Sequence, residues 1–450
     1  MARLLRVLVV SLLSVFVSLL LLSNAQAQVS SVNNTTSTPI EGAGHDYVKL
    51  LSETVNPANG AVSIRIELPT PKSRGITLPF SIAYDSNGVL HLEPSQIIPQ
   101  GYGTANWATD IGFLSQGGWS YSVPLLNYNT WGVDHPYIIG YDSGGGPNWG
   151  HHNCYYASGY LFKDAAGSRH SLHLGALSIA AVDYPDATSE CADLRRSGGG
   201  DADVWGALAP YPGESGYYGE LPVTVSDKNG MSYTFPAGNQ FTVPGTKPLT
   251  NFVLPSKIED GNGNIVNVTR NGSTTSYAMT DTAGRSVLLV NGFGTSGTTV
   301  TADGATYQVT WKTVTFGSYS VNPIWKGQGS GPSGGDYCAP IPSVNGGSEV
   351  VISQVTLPNG QSYKFYYGSD NPDVSFRNPY GMLSEIDYPS GGSVKYKWAL
   401  TGTRGELGVY PAAYSAGGDV TPDANYCIYQ YQTPAVSERD VFYGGSTTPA

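Results

Sequence analysis

A recurring turn followed by a strand is the sequence feature that most constrains this fold. VSDKNGMSYTF at 225–235 and VTLPNGQSYKF at 355–365 share the core N-G-x-S-Y-x-F. A glycine accepts the positive φ of a tight hairpin turn, and alternating aromatic residues bury one face of the next strand. DYPSGGSVKYKW at 387–398 fits the same frame. Its glycines could instead grip an anion, but a phosphate loop is normally followed by a helix, and here a strand pattern follows.

Six such units recur between residues 164 and 398. Their turn glycines are Gly167, Gly230, Gly263, Gly284, Gly360 and Gly391. Four turns carry an aspartate three residues before the glycine, at Asp164, Asp227, Asp260 and Asp281. The aspartate side chain can cap backbone N–H groups of the turn, whereas the other two units carry proline before the turn. Six equivalent hairpins predict an antiparallel sheet grown by repetition.

The residues three and five places after each turn glycine are expected to face inward. They are His170 and Leu172, Tyr233 and Phe235, Val266 and Val268, Val287 and Leu289, Tyr363 and Phe365, and Val394 and Tyr396. Composition supports the same fold class, because 57 Gly and 30 Pro imply many turns and 31 Tyr exclude a disordered chain. We therefore predict an all-β protein in which hairpin repeats form an extended curled sheet or shell, preceded by a β-rich N-terminal region.

The first 27 residues have the pattern of a secretory signal peptide. Arg3 and Arg6 precede an apolar run at 7–22, and an A-x-A cleavage site ends at Ala27. This run is shorter than the ~20 residues of a membrane-spanning helix, although an uncleaved anchor is the alternative interpretation. The expected location is therefore secreted or at the cell surface, with no membrane span in the mature chain.

The remaining chain divides into four regions by pattern. Residues 28–45 are predicted to be a flexible leader, 46–160 the β-rich N-terminal region, and 161–400 the hairpin repeats. The repeats carry loop inserts at 183–217 and 327–348, and 401–450 is a Tyr- and Gly-rich tail that we expect to be incomplete. Alternation at 62–68 and 78–84 predicts a strand pair within the N-terminal region.

The net charge and the cysteines limit the classes of partner and of metal site that we expect. Loss of Arg3 and Arg6 changes the formal net charge from −11 to −13, so nucleic acid is not an expected partner. The four cysteines Cys154, Cys191, Cys338 and Cys427 suit disulfides in an oxidising compartment. Three pairings are possible, and Cys154–Cys191 with Cys338–Cys427 is favoured because each pair stays within its own region. A structural zinc site is not expected, because no C-x-x-C spacing occurs.

The sequence resembles the RHS/YD-repeat family of secreted and surface proteins. The resemblance lies in NPANGAVSIRIELPTPKSRGITLPFSIAYDSNG at 56–88, in VTLPNGQSYKFYY at 355–367, and in YGMLSEIDYPSGGSVKYKW at 380–398. It implies a β-sheet that spirals into a hollow shell, which bacteria use for export, contact-dependent competition or toxin packaging. It also implies binding to carbohydrate or to cell-surface proteins.

The chain departs from that family in one motif. Many members cleave themselves through a D-P-x-G motif and release a C-terminal toxin, but no Asp-Pro pair occurs here. Neither activity is carried over, and we expect the N-terminal part of a longer product or a short, degenerate member. The predicted function is a structural or binding module without catalysis or a cofactor.

A tryptophan-rich region at 101–160 offers an alternative function. Trp107, Trp119, Trp131 and Trp149 could present flat ring faces to sugars, as in a polysaccharide-binding adhesin. The other interpretation is that these rings fill a core that has few long aliphatic side chains.

Catalytic and metal sites are weaker hypotheses. Asp183 with Asp186, or Asp201 with Asp203, could serve glycoside hydrolysis, but both pairs lie in Gly-rich loops, and no G-x-S-x-G motif occurs. His151 and His152, with Cys154 and His170 or His173, suggest metal, but adjacent strand residues point to opposite faces. DGNGN at 260–264 resembles the start of a calcium loop but has Ile265 where glycine is expected, so it is predicted to be a hairpin turn. We expect no metal site.

Overall fold

The protein is all-β. The computed structural model describes residues 48–449 except 51–52, 71–75, 95–104, 110–111, 142, 144–146, 180–195, 210–220, 239–240, 243–248, 272–274, 322–323, 328–342, 410–426, 444–445 and 447–448. Its helical content is three single 3₁₀ turns at Ser86–Gly88, Gly368–Asp370 and Val374–Phe376 within these residues.

The strands are β1 Val48–Leu50, β2 Glu53–Val55, β3 Val62–Leu68, β4 Phe80–Asp85, β5 His91–Pro94, β6 Ala105–Ala108, β7 Ser115–Gln116, β8 Trp119–Tyr121, β9 Leu125–Tyr141, β10 Pro147–Lys163, β11 Arg169–Ser171, β12 Gly175–Ile179, β13 Gly198–Gly200, β14 Val204–Leu208, β15 Val223–Asp227, β16 Ser232–Phe235, β17 Phe241–Thr242, β18 Leu249–Val253, β19 Lys257–Glu259, β20 Ile265–Arg270, β21 Tyr277–Asp281, β22 Ser286–Asn291, β23 Thr298–Ala302, β24 Ala305–Phe316, β25 Ile324–Gly327, β26 Gly347–Thr356, β27 Ser362–Tyr367, β28 Leu383–Asp387, β29 Ser393–Val409 and β30 Cys427–Phe442.

Three antiparallel sheets hold most of these strands. The long sheet has 16 strands in the order β13-β14-β15-β16-β19-β20-β21-β22-β23-β24-β26-β27-β28-β29-β30-β25. The N-terminal sheet has the order β1-β2-β3-β4-β8-β7, and the lateral sheet has the order β11-β10-β9-β18-β17 with β12 paired to β10. The order of the long sheet follows the chain closely, as expected for successive hairpins.

One face of the long sheet is buried and the other faces solvent. Along β21 and β23, buried side chains alternate with more exposed ones, which is the period of a strand with one covered face. Val225, Phe235, Val290, Val300 and Phe365 all lie on the buried face. The predicted half-buried strands β3 and β4 follow the same rule and pair along their full length.

The N-terminal sheet covers the buried face of the long sheet. The Trp119 indole Nε1 donates a hydrogen bond of 2.7 Å to the Tyr367 hydroxyl, and the Leu383 backbone N–H donates to the Tyr84 hydroxyl at 3.3 Å. The Tyr121 ring meets the Phe293 ring edge-on at a centroid distance of 4.8 Å. One buried cluster joins the sheets, so side chains fill the space between the N-terminal sheet and the long sheet in the described part of the chain.

Two of the expected boundaries are wrong. The insert at 183–217, expected to be a loop, contains β13 and β14, which form one end of the long sheet. Residues 401–450 are not a separate tail, because β29 runs through position 400 to Val409 and pairs with β30. Close backbone approach explains the triple glycine of β13, since a Cβ at Gly199 would lie 2.4 Å from the Leu172 carbonyl oxygen.

One inward position was predicted wrongly. Leu289 is 37% exposed, whereas Val287 and Leu288 are both buried. The pairing of β21 with β22 shifts register between Met279 and Thr280. This bulge adds one residue to β22, so the alternation reverses after Val287.

Some predictions fall outside the described residues. The signal peptide at 1–27, the leader at 28–45, most of the 327–348 insert, Asp183, Asp186, Cys191 and Cys338 lie there. Cys154 and Cys427 lie in β10 and β30, but their side chains are not described, so the disulfide pairing stays a prediction. The described residues contain no helix long and apolar enough to cross a membrane.

Candidate functional site

The six predicted turns share one backbone geometry. Each turn glycine has a φ between 74° and 97°. Its N–H donates to the carbonyl oxygen three residues earlier at 2.9–3.1 Å, and the N–H of that first residue donates to the carbonyl of the residue after the glycine at 2.8–3.0 Å. The turns therefore carry the glycine bulge of a common hairpin type.

Aspartate and proline occupy different positions of this turn. In the Asp260 turn, the carboxylate Oδ1 accepts the N–H groups of Asn262 and Asn264, both at 2.9 Å. Asp227 and Asp281 accept the corresponding pairs of N–H groups in their own turns. In the proline units, Leu357 and Tyr388 take the first position, and the prolines follow at the second position. The proline units therefore stabilise the turn by fixing φ at its second residue, whereas the aspartate units stabilise it by capping N–H groups from its first residue.

Five of the six predicted turns project from one edge of the long sheet, and the sixth, at Gly167, joins β10 to β11 in the lateral sheet. In a run of antiparallel strands, every second connection emerges on the same side, so the turns after β13, β15, β19, β21, β23, β26 and β28 share an edge. Neighbouring turns touch along it: Lys228 Nζ lies 2.8 Å from Asp203 Oδ1, and Gln361 Nε2 donates to the Pro389 carbonyl at 3.3 Å. We call this row the turn edge.

The turn edge is acidic at one end and neutral at the other. The side chain and backbone of Asn264 hydrogen-bond to Asp260 and hold its pKa below the ordinary value. Burial alone would raise the pKa of Asp201, but hydrogen bonds from the Asp203 backbone and from His170 hold it below that value. At the other end, a polar groove of about 480 Å³ lies between the two proline turns, with Gln361 and Ser393 among its lining residues.

The predicted tryptophan cluster is not one surface. Trp119 is fully buried against Tyr84 and Phe365, so it is a core residue and not a sugar platform. Trp107 in β6 is half-buried and meets the Tyr431 ring edge-on at 5.5 Å. Trp131 lies in β9 and Trp149 in β10, and their side chains are outside the described part.

Sequence reasoning missed the exposed tryptophan. Trp205 in β14 is 57% exposed, and it is the most exposed tryptophan among those whose side chains are described. It lies in the insert that was expected to be a loop. A signal was present, because alternation in VWGAL at 204–208 places Trp205 opposite the apolar Val204 and Leu208.

The acidic residues near His170 form a structural contact. His170 Nδ1 lies 2.8 Å from Asp201 Oδ2, and His170 Nε2 lies 3.6 Å from Asp164 Oδ2. Asp201 also accepts the N–H groups of Asp203 and Val204. Its carboxylate therefore joins β11 to the β13–β14 turn.

Metal hypotheses find no geometric support in the described residues. No group of three His, Cys, Asp or Glu side chains converges among them. Asp260 uses its oxygens on Asn262 and Asn264 within the turn, as the hairpin interpretation of DGNGN requires. The side chains of His151, His152 and Cys154 lie outside the described part.

A buried ion pair ties the two ends of the described chain together. Glu53 in β2 has no solvent exposure and accepts hydrogen bonds from Nε, at 3.2 Å, and Nη2 of Arg439 in β30. Burial raises the pKa of Glu53 although Arg439 opposes that rise. Beside the pair, the Val436 N–H donates to the Gly60 carbonyl at 2.9 Å. This contact, the seam, closes the N-terminal sheet onto the last strand pair.

The fold and the turn edge define a class: an antiparallel β-repeat protein whose inner face is covered by its own N-terminal sheet. Comparison with protein-family models and with curated proteins finds no match for this chain.

Proposed function

We propose that this protein is an exported structural and binding module, a shell segment of the RHS/YD-repeat type that has no catalysis of its own. The observation that carries the proposal is the row of equivalent hairpin turns along one edge of a single 16-stranded sheet. Each unit adds two strands to the sheet and contributes inward side chains to the shared buried cluster, which is how a repeat protein grows.

The contacts between the sheets support a closed structural role. Trp119, Tyr84 and Tyr367 interlock the N-terminal sheet with the long sheet through ring contacts and hydrogen bonds. The seam adds a second attachment at the far end of the chain. A long sheet that is attached to the N-terminal sheet both at the Trp119 contacts and at the seam is typical of a scaffold and not of a mobile catalytic lid.

Export is part of the same proposal. It rests on the signal-peptide pattern at 1–27, on four cysteines and on an acidic chain with few charged residues. The protein should be recovered from the periplasm, the cell surface or the medium of an expressing bacterium, with Gln28 as its first residue by N-terminal mass spectrometry. Recovery of a chain that retains Met1 in the cytoplasm would contradict export.

The structural role is tested by unfolding with two probes. Tryptophan fluorescence reports the surroundings of the eight tryptophans, among them the buried Trp119 at the sheet interface, and far-UV circular dichroism reports the β-structure. We expect both to follow a single urea transition, because the sheets share one core. Trp119→Phe, which removes the hydrogen bond to Tyr367, should lower the midpoint of both probes together, whereas the exposed control Trp205→Phe should not. Two separate transitions in the wild type would refute a single closed unit.

The alternative functions receive less support. An adhesin built on the 107–149 aromatics loses Trp119 to the core, and glycoside hydrolysis by Asp201 competes with its contacts to His170 and the turn backbone. Activity on polysaccharides that disappears in Asp201→Asn and persists in the exposed control Asp303→Asn would restore the hydrolase hypothesis.

A further inference from the structure

Trp205 lies on the outer, exposed face of the long sheet, next to Gly198 of β13. A Cβ at Gly198 would lie 3.0 Å from the indole Cζ2 atom and 3.6 Å from Nε1, so the ring rests against the bare backbone of β13. The side chain is 57% exposed, so much of the indole is accessible to a partner. A side chain at position 198 would displace the indole, so the missing Cβ of Gly198 allows the ring to lie against β13. An exposed, oriented tryptophan on a flat surface is characteristic of a recognition site.

Small hydroxyl side chains continue the surface from the indole. Residues paired across antiparallel strands share a face, and Trp205 pairs with Ser226, which pairs with Ser232. The parallel row runs through Thr224 and Thr234. Strands lie ~4.8 Å apart, so these hydroxyls form an evenly spaced polar strip next to the ring. We call the five residues the Trp205 face.

We propose that the Trp205 face is a binding site for an uncharged polysaccharide, with a sugar ring stacked on Trp205 and the chain running across β15 and β16. The apolar face of a pyranose ring matches the indole, and its hydroxyl groups match those of Ser226 and Ser232. The proposal specifies a ligand for the binding role given above, but it does not depend on the shell assignment.

Charge decides between neutral and ionic ligands. On the next strand, β19, Glu259 lies beside Ser232 and Lys257 lies beside Thr234. These two charged side chains form a salt bridge of 2.7 Å with each other, so the strip is locally neutral. The chain as a whole is acidic, with a formal net charge of −11, and repels polyanions. Cationic partners would be drawn to the aspartates of the turn edge and not to the hydroxyl strip. An uncharged, hydroxyl-rich polymer is the chemistry that remains.

The test uses the full chain and defined sugars. Affinity electrophoresis and titration calorimetry would measure binding to soluble β-glucan, galactomannan and starch, with polygalacturonate as an anionic counterpart. We expect one or more neutral polymers to bind. Trp205→Ala should weaken binding about tenfold or more. Gly198→Val keeps the tryptophan but displaces its ring from β13, and should weaken binding severalfold. The control Tyr443→Ala removes another exposed aromatic side chain, 55% exposed, and should leave affinity unchanged.

Three results would overturn the proposal. One is that no neutral polymer binds the wild type, or that only polygalacturonate does. Another is binding that Trp205→Ala leaves intact, which would place the sugar site elsewhere. The third is a change in oligomeric state in Trp205→Ala by sedimentation, which would make the face a contact between copies of this chain. The urea unfolding of the wild type does not depend on sugar binding, so failure of the sugar site can be distinguished from failure of the structural role. Circular dichroism of each variant checks that it is folded.

Discussion

The seam and the turn edge use the same chemical group in opposite ways. At the seam, Glu53 is buried, and burial raises its pKa despite the contact with Arg439. At the turn edge, burial would raise the pKa of Asp281, but hydrogen bonds from the Arg285 backbone and side chain lower it. The carboxylate of Asp281 is matched by local N–H donors in a turn, whereas that of Glu53 depends on a partner 386 residues away. Local capping tolerates change, and a long-range buried pair does not.

Breaking the seam should have the largest effect. Arg439→Ala leaves Glu53 buried without its cation, which costs about 3–5 kcal/mol of unfolding free energy. Urea unfolding followed by circular dichroism would measure the loss. The double variant Glu53→Leu/Arg439→Leu removes both charges and should recover much of the stability. A loss below 1 kcal/mol in Arg439→Ala would mean that the seam does not hold the sheets together.

Forcing a side chain onto a turn glycine should have the next largest effect. Gly263 has a φ of 78°, and a Cβ there would meet nothing within 4 Å, so Gly263→Ala tests the backbone conformation alone. We expect a loss of about 1–2 kcal/mol by urea unfolding, because L-residues disfavour the left-handed region.

Gly261 gives a matched control within the same turn. Its φ is not positive, and a Cβ would come no closer than 3.9 Å to the Gly230 carbonyl oxygen. Gly261→Ala should be neutral or slightly stabilising, because it restricts the unfolded chain. Equal losses in both variants would show that φ is not the reason for glycine at position 263.

The turns could be predicted from the sequence because their causes are local. The spacing from Asp260 to Gly263 sets the turn, and the alternation after Gly230 sets the inward face of Tyr233 and Phe235, both buried. The bulge that exposes Leu289 was not predictable, because it depends on how β22 pairs with β21.

The seam and the Trp205 face depend on longer-range packing. Nothing near Glu53 in the sequence indicates Arg439, since the two meet only when the N-terminal sheet closes on β30. Trp205 was hidden by the glycines around it, which suggested a loop until β13 and β14 were seen to pair. The clustering of tryptophans at 101–160 in the sequence does not report their exposure, and only the fold shows that Trp119 belongs to the core.

Removing a turn cap should have a smaller effect than changing the turn glycine. Asp260→Ala releases the N–H groups of Asn262 and Asn264, but water can reach this exposed turn and replace the lost acceptor. We expect a loss of stability below that of Gly263→Ala, with the β-structure retained by circular dichroism. A loss as large as that of Arg439→Ala would contradict the distinction between local and long-range carboxylates.

The pKa values of Glu53 and Asp260 shift in opposite directions, which predicts small, opposite slopes of the unfolding free energy against pH. Glu53 has a folded-state pKa above 4.5, so its stabilising contribution is present below that value and is lost as pH rises through the raised pKa. Asp260 has a folded-state pKa below 3.8, so its contribution is present above that value and is lost as pH falls through the lowered pKa.

Variants in which an amide replaces each carboxylate would measure these two pH dependences. Urea midpoints between pH 3 and pH 7 should show Glu53→Gln gaining on the wild type as pH rises, because the amide cannot ionise in the buried site. Asp260→Asn should instead gain on the wild type as pH falls, since only the wild type loses its charged cap there. Slopes of the same sign in both variants would show that burial does not separate the two carboxylates, and the comparison between the seam and the turn edge would then rest on distance along the chain alone.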